Sequence, residues 1–263
     1  MLSHHARVQS VYDLVAANYA TGAGFFDTVA RHLIETAELP PGRVLDVACG
    51  RGAVANHVEA LRRDIDVYAA DLSFAMLRAN RSADSAGWAA RQVNAIGESQ
   101  PFASGVFDAV TCSQALPFFA DPGRAVREFR RIARPGGVVA VSTNGPSDPR
   151  LAWLRDLLPP VSQEVSLVVE PLAEADALRR LLEGSGLRAV RVRSLRARIG
   201  FGDADRFWSF AMTTGLRAAF ERIGPEGRGA LRHSVAQGLE RMSDGAEIYV
   251  LYRFHIAVGR AES

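Results

Sequence analysis

Short apolar runs alternate along this chain with stretches whose apolar residues recur every three or four positions. The runs read as buried strands and the stretches as amphipathic helices. Val44–Val47 begins the pattern. Ile65–Ala70 follows, then a short third strand before Asn94, then Val106–Cys112 and Val138–Val141. Helical periodicity fills the gaps, so right-handed crossovers and a parallel sheet are expected. Upstream, Val8–Leu39 reads as one or two amphipathic helices around an aromatic link, Thr21-Gly22-Ala23-Gly24-Phe25-Phe26. Downstream, a short helix is expected over Leu151–Leu158, ended by Pro159-Pro160, and another around Leu178–Glu183. A sixth strand is expected over Leu187–Ile199, helix over Asp203–Met242, and a last strand over Ile248–Val258.

The first strand carries the most informative residues. Val44-Leu45-Asp46-Val47-Ala48-Cys49-Gly50-Arg51-Gly52 is an apolar run, an acid and two glycines spaced G-x-G, leading into a helix from Ala53. That layout holds a nucleotide-like ligand at the tip of a parallel sheet. Asp71 ends the second strand about 20 residues later, where an acid can accept from both hydroxyls of a ribose. A dinucleotide dehydrogenase would need a third glycine, and Val54-Ala55 stands in its place.

Composition narrows the chemistry. All 31 basic residues are arginine, so Schiff-base and P-loop lysines are excluded. The net charge is +2, with arginines spread among acids as in Arg124–Arg131, which reads as a solvated face rather than a nucleic-acid groove. Cys49 and Cys112 each close an apolar strand, as reduced thiols of a cytoplasmic protein do. The N-terminal residues lack the apolar region of a signal peptide, and no run approaches the ~20 apolar residues of a membrane span.

Val44-Leu45-Asp46-Val47-Ala48-Cys49-Gly50-Arg51-Gly52, Asp71, Asn94-Ala95, Val106–Cys112 and Arg134-Pro135-Gly136-Gly137 together resemble the class I S-adenosylmethionine-dependent methyltransferases. The similarity is greatest to the ubiquinone/menaquinone and natural-product small-molecule subgroup, and it is close over Val44–Val141. The resemblance implies an α/β, Rossmann-like doubly wound sheet of about seven strands, the last antiparallel beside the fifth. It implies a helical N-terminal lid at 1–42, a cofactor-binding core at 43–145, and a C-terminal half at 146–263 with a helical lid insertion at about 203–243. S-adenosylmethionine is then the cofactor. Its candidate contacts are Tyr19, Asp46, Ala48, Gly50, Gly52, Asp71, Leu72, Met76, Asn94, Ala95, Ser113 and Gln114.

Physical roles follow from that placement. Gly50 and Gly52 let backbone approach the methionine end, and the helix N-terminus favours its carboxylate. Ala48 replaces the family's first glycine. Asp46 reaches the amino group or satisfies loop amides only; Asp71 holds the ribose, caps the next helix, or does both. Leu72 and Met76 would pack on adenine, and Asn94 would accept from its amino group. Gln114 contacts ligand or caps local backbone. Methyl transfer needs alignment in a dry pocket more than it needs a base. If a base acts, Tyr19 and His255 are the candidates; His57 and His233 read as surface, and His255 also reads as a satisfied buried histidine.

The acceptor pocket is expected from Tyr12, Tyr19, Phe25, Phe26, Leu116, Phe118, Phe119, Phe201, Phe207, Trp208, Phe210 and Met212, with core packing the competing role for the insertion. The expected partner is a small apolar or aromatic methyl acceptor; a homodimer is compatible, and neither nucleic acid, membrane nor metal is called for. Nucleic-acid amino-methylating enzymes carry Asn/Asp-Pro-Pro-aromatic where this chain has Cys112-Ser113-Gln114-Ala115. The alternative is a non-methylating enzyme, such as a cyclase, that keeps the cofactor.

Overall fold

The computed structural model describes residues 3–19, 24–82, 87–157, 172–214, 217, 223–243, 245 and 247–262. Seven strands form one sheet: β1 (Gly42–Val47), β2 (Ile65–Asp71), β3 (Gln92–Asn94), β4 (Phe107–Ser113), β5 (Ala133–Asn144), β6 (Leu187–Gly202) and β7 (Ile248–Ala261). Their order is β3-β2-β1-β4-β5-β7-β6. The first five strands pair in parallel, and β7 runs antiparallel between β5 and β6. The expected doubly wound sheet, with its last strand antiparallel beside the fifth, is therefore the one observed.

Helices α1 (His4–Val15), α2 (Phe25–Ala37), α3 (Ala53–Leu61), α4 (Phe74–Ser82), α5 (Pro122–Ile132), α6 (Ala152–Leu157), α7 (Ala175–Gly184), α8 (Ala204–Met212) and α9 (Gly224–Glu240) surround it. Adjacent strand residues feed opposite faces. Val44 joins the core beneath α2, α3, α8 and α9, while Leu45 joins the core beneath α5 and α7. With both faces covered, Val44–Val47 is buried at every position, which explains a run rather than an alternation. Helix α5 shows how sequence sets an element. Asp121 caps it by accepting from the Arg124 amide (2.8 Å), Pro122 supplies a ready first turn, and Ala125, Val126, Phe129 and Ile132 form its buried stripe.

The Pro-Gly-Gly segment is not the turn before β5 but a bulge inside it. Phe107 pairs with Ala133 and Ala109 with Val138, so Arg134–Gly137 loops out, and the imide of Pro135 owes the ladder no hydrogen. Strand β6 extends past the expected Ile199 to Gly202 and is an edge, with no strand on its outer side among the described residues. Arg188, Arg191, Arg193, Arg196 and Arg198 stand exposed along it. The expected features at Thr21–Ala23, Leu158, Pro159-Pro160 and part of the 203–242 helical stretch lie outside the described residues. Among the described residues no helix is long and apolar enough to cross a membrane.

Gly52 caps α3 at φ +78°, and a Cβ there would lie 2.3 Å from Cζ2 of the buried Trp88. Gly136 has φ +79° with nothing within 4 Å of that position. Gly136→Ala should therefore cost only backbone strain, about 1 kcal/mol, whereas Gly52→Ala adds an overpacking cost and should lose roughly 2–4 kcal/mol. Urea unfolding of the two variants checks the difference.

Candidate cofactor site

The loop after β1 closes on itself through the Gly52 amide and the Cys49 carbonyl (2.8 Å) and is held by its neighbours. The Gly50 amide donates to Asp71 Oδ2 (2.8 Å), and the Cys49 amide to the Ala70 carbonyl (3.1 Å). Asn80 of α4 donates from Nδ2 to the Gly50 carbonyl (2.8 Å) and accepts from Arg51 Nε (3.1 Å). Arg51 then reaches the Ala16 and Ala17 carbonyls, at 2.8 and 3.2 Å, and ties the end of the N-terminal segment to the loop. Ala48 and Gln114 both sit at positive φ, +55° and +59°, where strain is concentrated beside the cavity.

A cavity of about 400 Å³ opens over these loops. Of the expected cofactor contacts, Tyr19, Asp46, Ala48, Gly50, Asp71, Leu72, Met76, Ala95, Ser113 and Gln114 line it. Two do not. Gly52 faces Trp88, so its missing side chain serves packing rather than ligand approach. The Asn94 amide is turned onto the backbone, with Nδ2 donating to the Asp71 (2.9 Å) and Leu72 (2.8 Å) carbonyls. Through Nδ2, Asn94 fixes the turn after β2.

The site carries two buried carboxylates. Asp71 accepts from the Ser73 amide (2.7 Å) as well as from Gly50, and Asp46 accepts from Thr111 Oγ1 (2.9 Å). Burial raises Asp46 to about 7, with the charge of Asp71 adding to the rise while Thr111 and the Ala55 amide oppose it. Burial likewise raises Asp71 to about 6, against the Ser73 and Gly50 amides and with Asp13 adding to the rise. Gln114 presents a further buried acceptor, Oε1, without a protein partner. Clustered acids and an open acceptor in one cavity fit a ligand bearing positive charge, N–H donors and hydroxyls.

Aromatic residues form the cover. The Tyr12 ring meets Tyr19 (5.9 Å) and Phe118 (5.8 Å) edge-on, and Tyr19 meets Phe26 (5.3 Å). Helix α1 is fastened by Asp13, which accepts from Ser73 Oγ, and by His4 Nε2 at the Phe118 carbonyl (2.9 Å). Burial, and then the neighbouring Tyr12 and Asp71, hold the Tyr19 hydroxyl far above its ordinary range. The ring forms part of the cavity wall. His255 is removed from the chemistry altogether. It lies outside the cavity lining, with Nε2 at the Ala173 carbonyl (2.9 Å) and Nδ1 at Ser194 Oγ (2.8 Å), so its buried ring is satisfied.

The expected aromatic pocket divides as well. Tyr12, Tyr19, Phe26, Phe118 and Phe119 line the cavity. Phe25, Leu116, Phe201, Phe207 and Phe210 are core, and Trp208 and Met212 pack against it. Sequence reading missed Asn80, Asp13, His5, Asn56, Asp27 and Glu98. None belongs to a local pattern; Asn80, Asp13, His5, Asn56 and Glu98 join through contacts distant in the chain, and Asp27 lines the cavity.

Known proteins agree with this geometry. Residues 45–141 match the family described as the methyltransferase domain. Nocamycin O-methyltransferase of Saccharothrix syringae is 27% identical over 273 residues, 95% of this chain and 97% of that one. Demethylmenaquinone methyltransferase of Thermus thermophilus is 34% identical over 132 residues, 49% of this chain and 59% of its own length. The solved [4+2]-cyclase SpnF shares the fold, with a TM-score of 0.61 at 21% identity, covering 99% of this chain and 97% of that one. The fold is that of the class I methyltransferases. The chain is an S-adenosylmethionine-dependent enzyme that carries a methyltransferase domain at residues 45–141.

The raised carboxyls make the unliganded fold sensitive to pH. Folded values above the usual 3.8 mean that both groups favour folding while protonated, and that this advantage is lost as pH rises from about 4 to about 7. Asp46→Asn keeps the acceptor for Thr111 and removes the charge. Its stability relative to wild type should grow between pH 5 and pH 8 in urea unfolding without ligand; a constant difference would refute a buried charge at Asp46.

Proposed function

We propose that this enzyme methylates an oxygen of a small apolar or aromatic molecule held beneath the N-terminal helices. The carrying observation is the cavity itself, with acids on one side and Tyr12, Tyr19, Phe26, Phe118 and Phe119 on the other. Oxygen is chosen over nitrogen and carbon because the full-length relative is named an O-methyltransferase. Helix α1 and the segment to Tyr19 serve as lid, and a role in secondary metabolism accords with the name of that relative.

S-adenosylmethionine supplies a methyl group on a cationic sulfur, an electrophile with a neutral leaving group. The protein's task is orientation. Asp71 would take the ribose hydroxyls on the lone pairs left by Gly50 and Ser73, and Leu72 and Met76 would face the base. Asp46 and Gln114 Oε1 would receive the amino group, and the first amides of α3 the carboxylate. Tyr19, together with Tyr12 and Phe26, closes water out and leaves the acceptor oxygen to be aligned by shape.

Calorimetric titration with S-adenosylmethionine and S-adenosylhomocysteine tests the reading. Wild type should bind both. Asp71→Ala, which removes two charge-assisted contacts and the anchor of Gly50, should weaken binding by roughly a hundredfold or more. Absence of binding to folded wild type would overturn it. Tyr19→Phe should leave the pH dependence of turnover where it stands in wild type, whereas a base at Tyr19 would move the alkaline limb.

A further inference from the structure

The two outer strands reach past their neighbour. β5 ends at Asn144, opposite Phe254, whereas β6 and β7 stay paired from Arg196 and Arg253 out to Gly202 and Ile248. One face of this arm packs into the core through Leu195, Ala197, Ile199, Val250 and Tyr252. The alternate residues, Arg196, Arg198, Tyr249, Leu251 and Arg253, share the opposite face. Arg196, Arg198, Leu251 and Arg253 are exposed there.

The arm is braced on both sides of one rung. Outward, two guanidiniums stack on the Tyr249 ring, Arg198 at 4.1 Å and Arg150 at 4.4 Å. Both are neutralised, Arg198 by Glu247 (2.9 Å) and Arg150 by Asp148 (2.7 Å), and Asp148 also accepts from the Leu251 amide (3.0 Å). Inward, Ser194 Oγ and His255 Nδ1 meet at 2.8 Å. Between these stand Arg196 and Arg253, directly opposite each other in the ladder. Neither guanidinium has an ion-pair partner among the described residues. Like charges opposed in this way sit with Cβ atoms about 5 Å apart and cost stability. Neither can relieve the repulsion by losing a proton. Two fixed cations on a braced strand pair match a group with nearly two negative charges, which a phosphoryl group carries at neutral pH and a carboxylate does not. We propose that Arg196 and Arg253 form a binding site for a phosphoryl group. The site is separate from the cofactor cavity, whose lining includes neither residue, and β5 lies between them in the sheet.

Two measurements test the site. In calorimetry at fixed ionic strength, wild type should bind inorganic pyrophosphate, and Arg196→Gln or Arg253→Gln should weaken that binding about tenfold or more. Arg188→Gln, whose arginine already pairs with Glu262 on the same edge, should leave it unchanged. In urea unfolding at low salt without oxyanion, each of the first two variants should be at least as stable as wild type, because one of two repelling charges is gone. Added pyrophosphate should reverse that order. A phosphoserine peptide that binds more tightly than pyrophosphate, with its unphosphorylated form silent, would put the group on a protein; the opposite order would put it on a small molecule. Equal pyrophosphate binding by wild type and both variants, or no binding by wild type, would overturn the proposal. So would a loss of stability in both variants without oxyanion, which would make the two arginines supports of the fold.

Discussion

The site is organised by one buried carboxylate. Asp71 ends β2, and its two oxygens hold the Gly50 amide of the preceding loop and the Ser73 amide of the following turn. Its own carbonyl receives the Ala95 amide (3.1 Å) and the Asn94 side chain (2.9 Å) from the end of β3. Three successive loops at the carboxyl edge are thus positioned by one residue. Each loop could adopt other conformations alone; hydrogen bonds to a single anion in a low-dielectric setting select one.

That arrangement leaves the free protein electrostatically unsettled. Asp46 and Asp71 are both taken from water, and the charge of Asp71 adds to the rise at Asp46 while that of Asp13 adds to the rise at Asp71. Packing supplies the stability that offsets this, through the two buried layers on either face of the sheet. A cationic ligand converts this repulsion into attraction, so affinity is stored in the fold before binding. Strained backbone at Ala48 and Gln114 belongs to the same economy: both residues flank the cavity, and neither is glycine.

The alternation of strands and helices was legible because it follows from local periodicity, whereas the place of the last strand beside the fifth came from the family resemblance. Asp46, Gly50 and Asp71 were legible because strand ends and tight turns restrict which residue types fit. The failures are of another kind. Asn94 sits where expected, yet its amide turns to carbonyls that only tertiary placement brings within reach. The aromatic insertion residues have the composition of a pocket, but Phe201, Phe207 and Phe210 pack upon one another in the core. Glu98 is invisible to pattern because its partners, His5, Ala120 and Asp121, lie 93, 22 and 23 residues away.

The arginine-lined edge of the sheet has a bearing on how these molecules behave in a crowd. A 16-residue strand with one side unpaired among the described residues is a template for strand addition by another copy. Placing a second β6 alongside the first would bring guanidinium groups against guanidinium groups in either direction, since arginine recurs at nearly every second position from 188 to 198. The charge cannot be relieved by deprotonation at any physiological pH. The edge therefore meets an identical strand with fixed positive charge, tempered where Arg188, Arg191 and Arg198 already pair with Glu262, Glu38 and Glu247.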